Sequence, residues 1–140
     1  DLIGIFGVMR INRQLQQVAG KVLLFLFGAS ILFHGLVMTG IIDFHMVWGG
    51  RLKSREEMMI FEIISLMINV LFLWITAQRI AFVRRVFSLW LLQGLFGLMT
   101  VVFVLNTLGN LVSLNQLEML IFTPVTAISA VCCFLLIFGK

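Results

Sequence analysis

Asp43, His45, Glu57 and Glu62 fall within one short stretch, with His34 a little upstream. Carboxylates and imidazoles together are the side chains that bind a divalent metal or pass protons. Their spacing matches no zinc signature. Arg51, Lys53 and Arg55 lie among them, so the same acids can be neutralised as ion pairs, which is the simpler expectation. His34 and His45 are eleven residues apart. If one helix runs through both, His34, Met38, Ile41 and His45 share a face. A bis-histidine haem wants its ligands on facing helices. With both histidines on one helix, the expected role of His34 is a neutral imidazole hydrogen-bonded across a bundle. Glu62 opens a polar stripe with Ser65, Asn69 and Thr76. His34, Asp43, His45, Glu62 and Asn69 are therefore the candidate polar site, and as a metal site it stays an open alternative.

No other chemistry is signalled. The chain has no Ser–His–Asp arrangement, P-loop or dinucleotide fingerprint, so no catalytic residue and no cofactor are expected. Cys132 and Cys133 are adjacent and form no C-x-x-C pair, which points to buried structural thiols.

The elements that must hold these residues are membrane spans. The chain is 61% hydrophobic and 11% charged, whereas soluble domains run nearer to roughly 45–50% and about 25%. Its mean hydropathy is +1.15. A bilayer core about 30 Å thick needs roughly 20 apolar residues per helix. Four stretches qualify: 22–42, 58–77, 86–105 and 119–138. Barrel strands would alternate polar and apolar residues, which runs such as Val22-Leu23-Leu24-Phe25-Leu26-Phe27 do not. The expected fold class is an all-α integral membrane protein, a single domain of four transmembrane helices in a bundle. Residues 1–21 are expected to be an N-terminal interfacial segment, with Ile11, Leu15 and Val18 at helical spacing. Asp1 is not an initiator methionine, and Met9 is one candidate for the natural start.

Glu-Met-x-Ile-Phe occurs twice, at 57–61 and 118–122, a shift of 61 positions. Both copies open an apolar run and follow a short polar residue, Ser54 or Asn115. This is the capping-box pattern, in which the polar side chain accepts from an orphan N–H and the glutamate three residues later reaches back. Ser54, Glu57, Asn115 and Glu118 are thus expected to cap the second and fourth spans, in two tandem helical hairpins. The second copy has Val104, Asn106 and Thr123 where the first has Asp43, His45 and Glu62, so any ionisable site belongs to the first hairpin. Each span also carries neutral polar residues, for example Thr100 and Thr107, or Thr126 and Ser129. Four such stripes could meet at the bundle axis, or act as interhelical glue. Gly28, Gly35, Gly94 and Gly97 are expected to allow close helix approach. Pro124 is expected near the start of the fourth span, where a missing N–H is tolerated.

Charge sets the expected orientation. Of the ten Lys and Arg, Arg10, Arg13, Lys21, Arg79, Arg84, Arg85 and Lys140 lie on one side; Arg51, Lys53 and Arg55 lie on the other. By the positive-inside rule both termini are cytoplasmic, and a bacterial cytoplasmic membrane is the expected location. The net charge of +4 fits attraction to anionic lipid heads. Nucleic acid is not an expected partner, since no basic groove with interleaved aromatics exists. Three functions remain in view. The favoured one is a small membrane protein acting through packing, as a homo-oligomer or with another membrane protein. The alternatives are an oligomeric transporter or channel for a small solute or ion, and a membrane enzyme or lipid- or metal-binding protein.

Overall fold

A computed structural model describes residues 12–138. Residues 1–11 of the 1–21 segment, Met9, Arg10 and Ile11 among them, and Lys140 lie outside the described residues. Among the described residues the secondary structure is entirely helical, with four long α-helices. They are α1 (Arg13–Met38), α2 (Arg55–Arg79), α3 (Leu89–Leu111) and α4 (Gln116–Ile137). Each is 22 to 26 residues long and apolar enough to cross a membrane, roughly 33–39 Å at 1.5 Å per residue. The chain has the build of an integral membrane protein, and a lipid bilayer is its environment.

Local polar residues define where each helix begins. Asn12, Ser54, Ser88 and Asn115 each place a side-chain oxygen on a backbone N–H of the following first turn. Such donors lack partners inside the helix, and near a membrane the cost of leaving them unmet rises. α1 begins at Arg13 rather than at Val22, so the residues expected to form a separate interfacial piece continue directly into the span. It stops at Met38 rather than at Ile42. Gly40 (φ 80) follows the C-cap Thr39. There Gly40 N–H donates to Val37 O, and Ile41 N–H to Leu36 O. This is a Schellman ending, which glycine adopts without a Cβ penalty. Two single-turn 3-10 helices, Phe44–Met46 and Trp48–Gly50, fill the loop to α2. α2 ends in the same way at Ala81 (φ 59), with Phe82 N–H donating to Ala77 O at 2.8 Å. Pro124 sits inside α4 beyond its first turn, so the Leu120 carbonyl lacks its usual i+4 donor.

α1 packs against α2 and α4, and α4 packs against α3, whereas α2 and α3 touch little. The main core joins all four helices through Leu23, Phe27, Ile75, Leu92, Phe96 and Cys133. The rings of Phe27, Phe72 and Phe103 meet pairwise at 5.7–5.8 Å. A smaller cluster of Val37, Val47, Leu52 and Met58 closes the end where the 39–54 loop lies, called the distal end below. The opposite, proximal end is tied by Arg79 Nε donating to Leu136 O and Gln17 Nε2 to Ile80 O. The close helix approach falls at Gly20, where a Cβ would lie 2.1 Å from Ile80 Cγ2. Gly28, Gly35, Gly94 and Gly97 differ from expectation, because a Cβ at any of them meets nothing within 4 Å.

Candidate functional site

Glu62 is completely buried in α2 (0% exposed). Burying a carboxylate is costly unless its oxygens are paired, and both are. Glu62 Oε2 lies 2.5 Å from His34 Nδ1, reaching across from α1. Glu62 Oε1 accepts from Trp48 Nε1 at 2.7 Å. An indole N–H only donates, so Oε1 is fixed as an acceptor. The exchangeable proton of the pair therefore lies along the Oε2···Nδ1 line. His34 Nε2 makes no hydrogen bond among the described residues.

Trp48 reaches Glu62 because of its backbone. Its φ is 56, and Gly49 and Gly50 follow at 68 and 69. The two glycines adopt this left-handed region freely, but a tryptophan does so only where its surroundings over-determine it. Here the indole is held by Glu62 and by the ring of Phe61 at 5.1 Å.

The same turn binds the second hairpin. Gly49 N–H donates to Glu118 Oε2 at 2.6 Å, and Ser113 Oγ donates to the same oxygen at 2.9 Å. The two glutamates of the repeated motif are thus used differently. Glu57 N–H donates to Ser54 Oγ, and Glu57 Oε2 accepts from Lys53 N–H at 2.9 Å. Glu118 N–H donates to Asn115 Oδ1, and its carboxylate also holds the first hairpin's loop through Gly49. Trp48, Gly49, Arg51, Asn110, Ser113 and Glu118 line a cleft of about 170 Å³ between the two loops.

The other candidate residues are not drawn to Glu62. His45 is exposed, and its ring lies 4.1 Å from that of Phe44. Because α1 ends at Met38, His45 does not share a helix face with His34. Asp43 caps the first 3-10 turn by accepting from His45 N–H. Asn69 Nδ2 donates one turn back to Ser65 O. Among the described residues no group of three His, Cys, Asp or Glu side chains comes together to hold a metal. Nor do Arg51, Lys53 and Arg55 form the expected ion pairs: among the described residues the one ion pair is His34–Glu62. The neutral stripes are also spent locally. Thr76, Thr100 and Ser129 each donate to a carbonyl one turn back, while Thr107 and Thr126 each have such a carbonyl within reach and one donates its single hydroxyl hydrogen to the other, linking α3 to α4 at 3.0 Å. At the position matching Glu62, Thr123 Oγ1 is buried without a partner among the described residues.

The residue that sequence reasoning missed is Trp48. Its place just beyond the first apolar span predicts only an interfacial ring, whereas the Trp-Gly-Gly run, which permits three left-handed residues, is the signal that points inward. Compared with protein-family models, curated proteins and solved structures, the chain matches none.

Proposed function

We propose that this chain is a small integral membrane protein that acts through packing, as a homo-oligomer or as a subunit of a larger membrane complex. The observation that carries the proposal is the outward position of Gly28 and Gly35. They lie seven residues apart, close to two turns of α1, and a Cβ on either would meet open space. Small residues on an outward helix face let a second backbone come close, which strengthens the van der Waals packing that helps drive helix association in lipid. The polar and charged side chains described above are mostly bonded within the chain, so what is offered outward is apolar surface with gaps of this kind, at Gly28 and Gly35 on α1 and at Gly94 and Gly97 on α3. The proposal includes two tandem hairpins with the proximal end cytoplasmic, because Arg13, Lys21, Arg79, Arg84 and Arg85 lie there, and a bacterial cytoplasmic membrane as the location.

Mass determination in mild detergent and in lipid nanodiscs tests it. The full chain is expected to run as a dimer or larger assembly, and Gly28→Leu with Gly35→Leu to shift it toward monomer. A strictly monomeric protein that recovers no partner from native membranes overturns the proposal.

A further inference from the structure

The most unusual group in the molecule is a carboxylate buried among membrane-spanning helices with two different donors on its two oxygens. We propose that Glu62, His34 and Trp48 form a proton-binding site whose occupancy sets the position of the Trp48–Arg51 loop and, through Gly49, its attachment to the second hairpin. This goes beyond the packing role, and either proposal can fail without the other.

Counting hydrogens gives the mechanism. With Glu62 ionised and His34 an imidazolium, Oε1 accepts from Trp48 Nε1–H and Oε2 accepts from His34 Nδ1–H. One proton can move along the Oε2···Nδ1 line without breaking either bond. Oε2–H then donates to Nδ1 and the imidazole is left neutral, with its hydrogen on Nε2. A further proton cannot be accommodated. The site would then hold a neutral carboxyl and an imidazolium, and Trp48 Nε1 and His34 Nδ1 are both obligate donors. The carboxyl's own O–H would face one of them, and that bond must open. The Trp48 bond is the one that can yield, because Trp48 is partly exposed and sits on a loop in a left-handed backbone conformation. His34 is fixed within α1. Withdrawal of Trp48 moves the adjoining Gly49 N–H, which is the donor to Glu118. Acidification therefore loosens the distal junction between hairpins.

The charged surroundings of the site are few. α1 contributes His34, while its Lys21 is roughly 20 Å further along the helix at 1.5 Å per residue. The loop contributes Arg51 on the neighbouring cleft, with Asp43, His45 and Lys53 exposed. α2 itself carries Arg55, Glu56 and Glu57 at its start, and Arg79 at its far end. α4 contributes Glu118, reached through Gly49, and α3 contains no ionisable residue.

The test follows Trp48 in the full chain, with Trp74→Phe and Trp90→Phe leaving it the sole indole. The protein in nanodiscs, where both faces meet the buffer, is titrated from about pH 9 to about pH 4, spanning the ordinary imidazole and carboxyl ranges. Fluorescence and acrylamide quenching are recorded. Trp48 is expected to become at least about twofold more quenchable on acidification, and Glu62→Gln is expected to flatten the curve, since an amide gains no proton there. His45→Gln is expected to leave the transition in place. Infrared difference spectra of the protein without the Glu62 substitution supply a second measurement: a protonated-carboxyl band should rise together with the quenching. Unchanged Trp48 quenching across the range overturns the proposal. So does a transition that survives Glu62→Gln, one abolished by His45→Gln, or one with no accompanying carboxyl band.

Discussion

At the scale of single residues, the chain concentrates its buried charge in one place and satisfies it there. Removing Glu62 leaves Trp48 Nε1–H and His34 Nδ1 facing an apolar void. Breaking a buried pair by deleting one partner typically costs about 3–5 kcal/mol, much more than the pair itself is worth against an apolar replacement. Glu62→Ala is therefore expected to destabilise the protein by about that amount, measured by denaturant titration in mixed micelles. Glu62→Gln should cost clearly less, because its amide oxygen still accepts from Trp48. Equal losses in the two variants would show that shape rather than hydrogen bonding matters at this position. His34 and Glu62 were both legible in the sequence, since a polar side chain inside an apolar run needs a partner. Their pairing was not. The two are 28 residues apart, and nothing local shows which faces of α1 and α2 meet. The role of Trp48 was further hidden, because it depends on a left-handed turn rather than on helical spacing.

At the scale of elements, helix ends are decided by a few residues. The polar residues at the starts of α2 and α4 were readable because capping is a short-range pattern. The end of α1 carried an equally short signal, Thr39-Gly40, but the apolar run continues through Ile41 and Ile42 and obscured it. That ending removes His45 from the α1 face and frees the loop to bring Trp48 back to α2. The matching ending of α2 uses Ala81 at φ 59. A left-handed conformation costs a residue with a Cβ roughly 1–2 kcal/mol, while glycine's extra freedom in the unfolded chain returns about 0.4–1 kcal/mol of that advantage. Ala81→Gly is thus expected to stabilise the protein by several tenths of a kcal/mol to about 1 kcal/mol, seen as a raised thermal midpoint in detergent. A lowered midpoint would mean that the Ala81 methyl makes a contact worth more than the backbone strain.

At the scale of the whole molecule, the four spans follow from composition alone, but their packing order does not. Helices that are apolar on every side carry no stripe to show which neighbour each prefers. α1 and α4, from opposite ends of the chain, pack together, while α2 and α3, joined by the short connection, barely touch. The covalent link between the two hairpins is therefore not what joins them. Polar ties hold both ends: Gly49 to Glu118 distally, and Arg79 to Leu136 O with Gln17 to Ile80 O proximally. Cutting the exposed connection between Arg84 and Arg85 should leave this arrangement intact. Gln78 Oε1 still accepts from Val86 and Phe87 N–H just beyond the cut, so the start of α3 remains anchored to α2 without the covalent bond. Residues 1–84 and 85–140, produced together with a tag on one piece, are expected to purify as a stoichiometric pair from mild detergent. Glu118→Ala in the second piece is expected to weaken the association, because Gly49 N–H and Ser113 Oγ lose their shared acceptor. Fragments that separate cleanly would show that the α1–α4 face cannot hold the hairpins together without the loop.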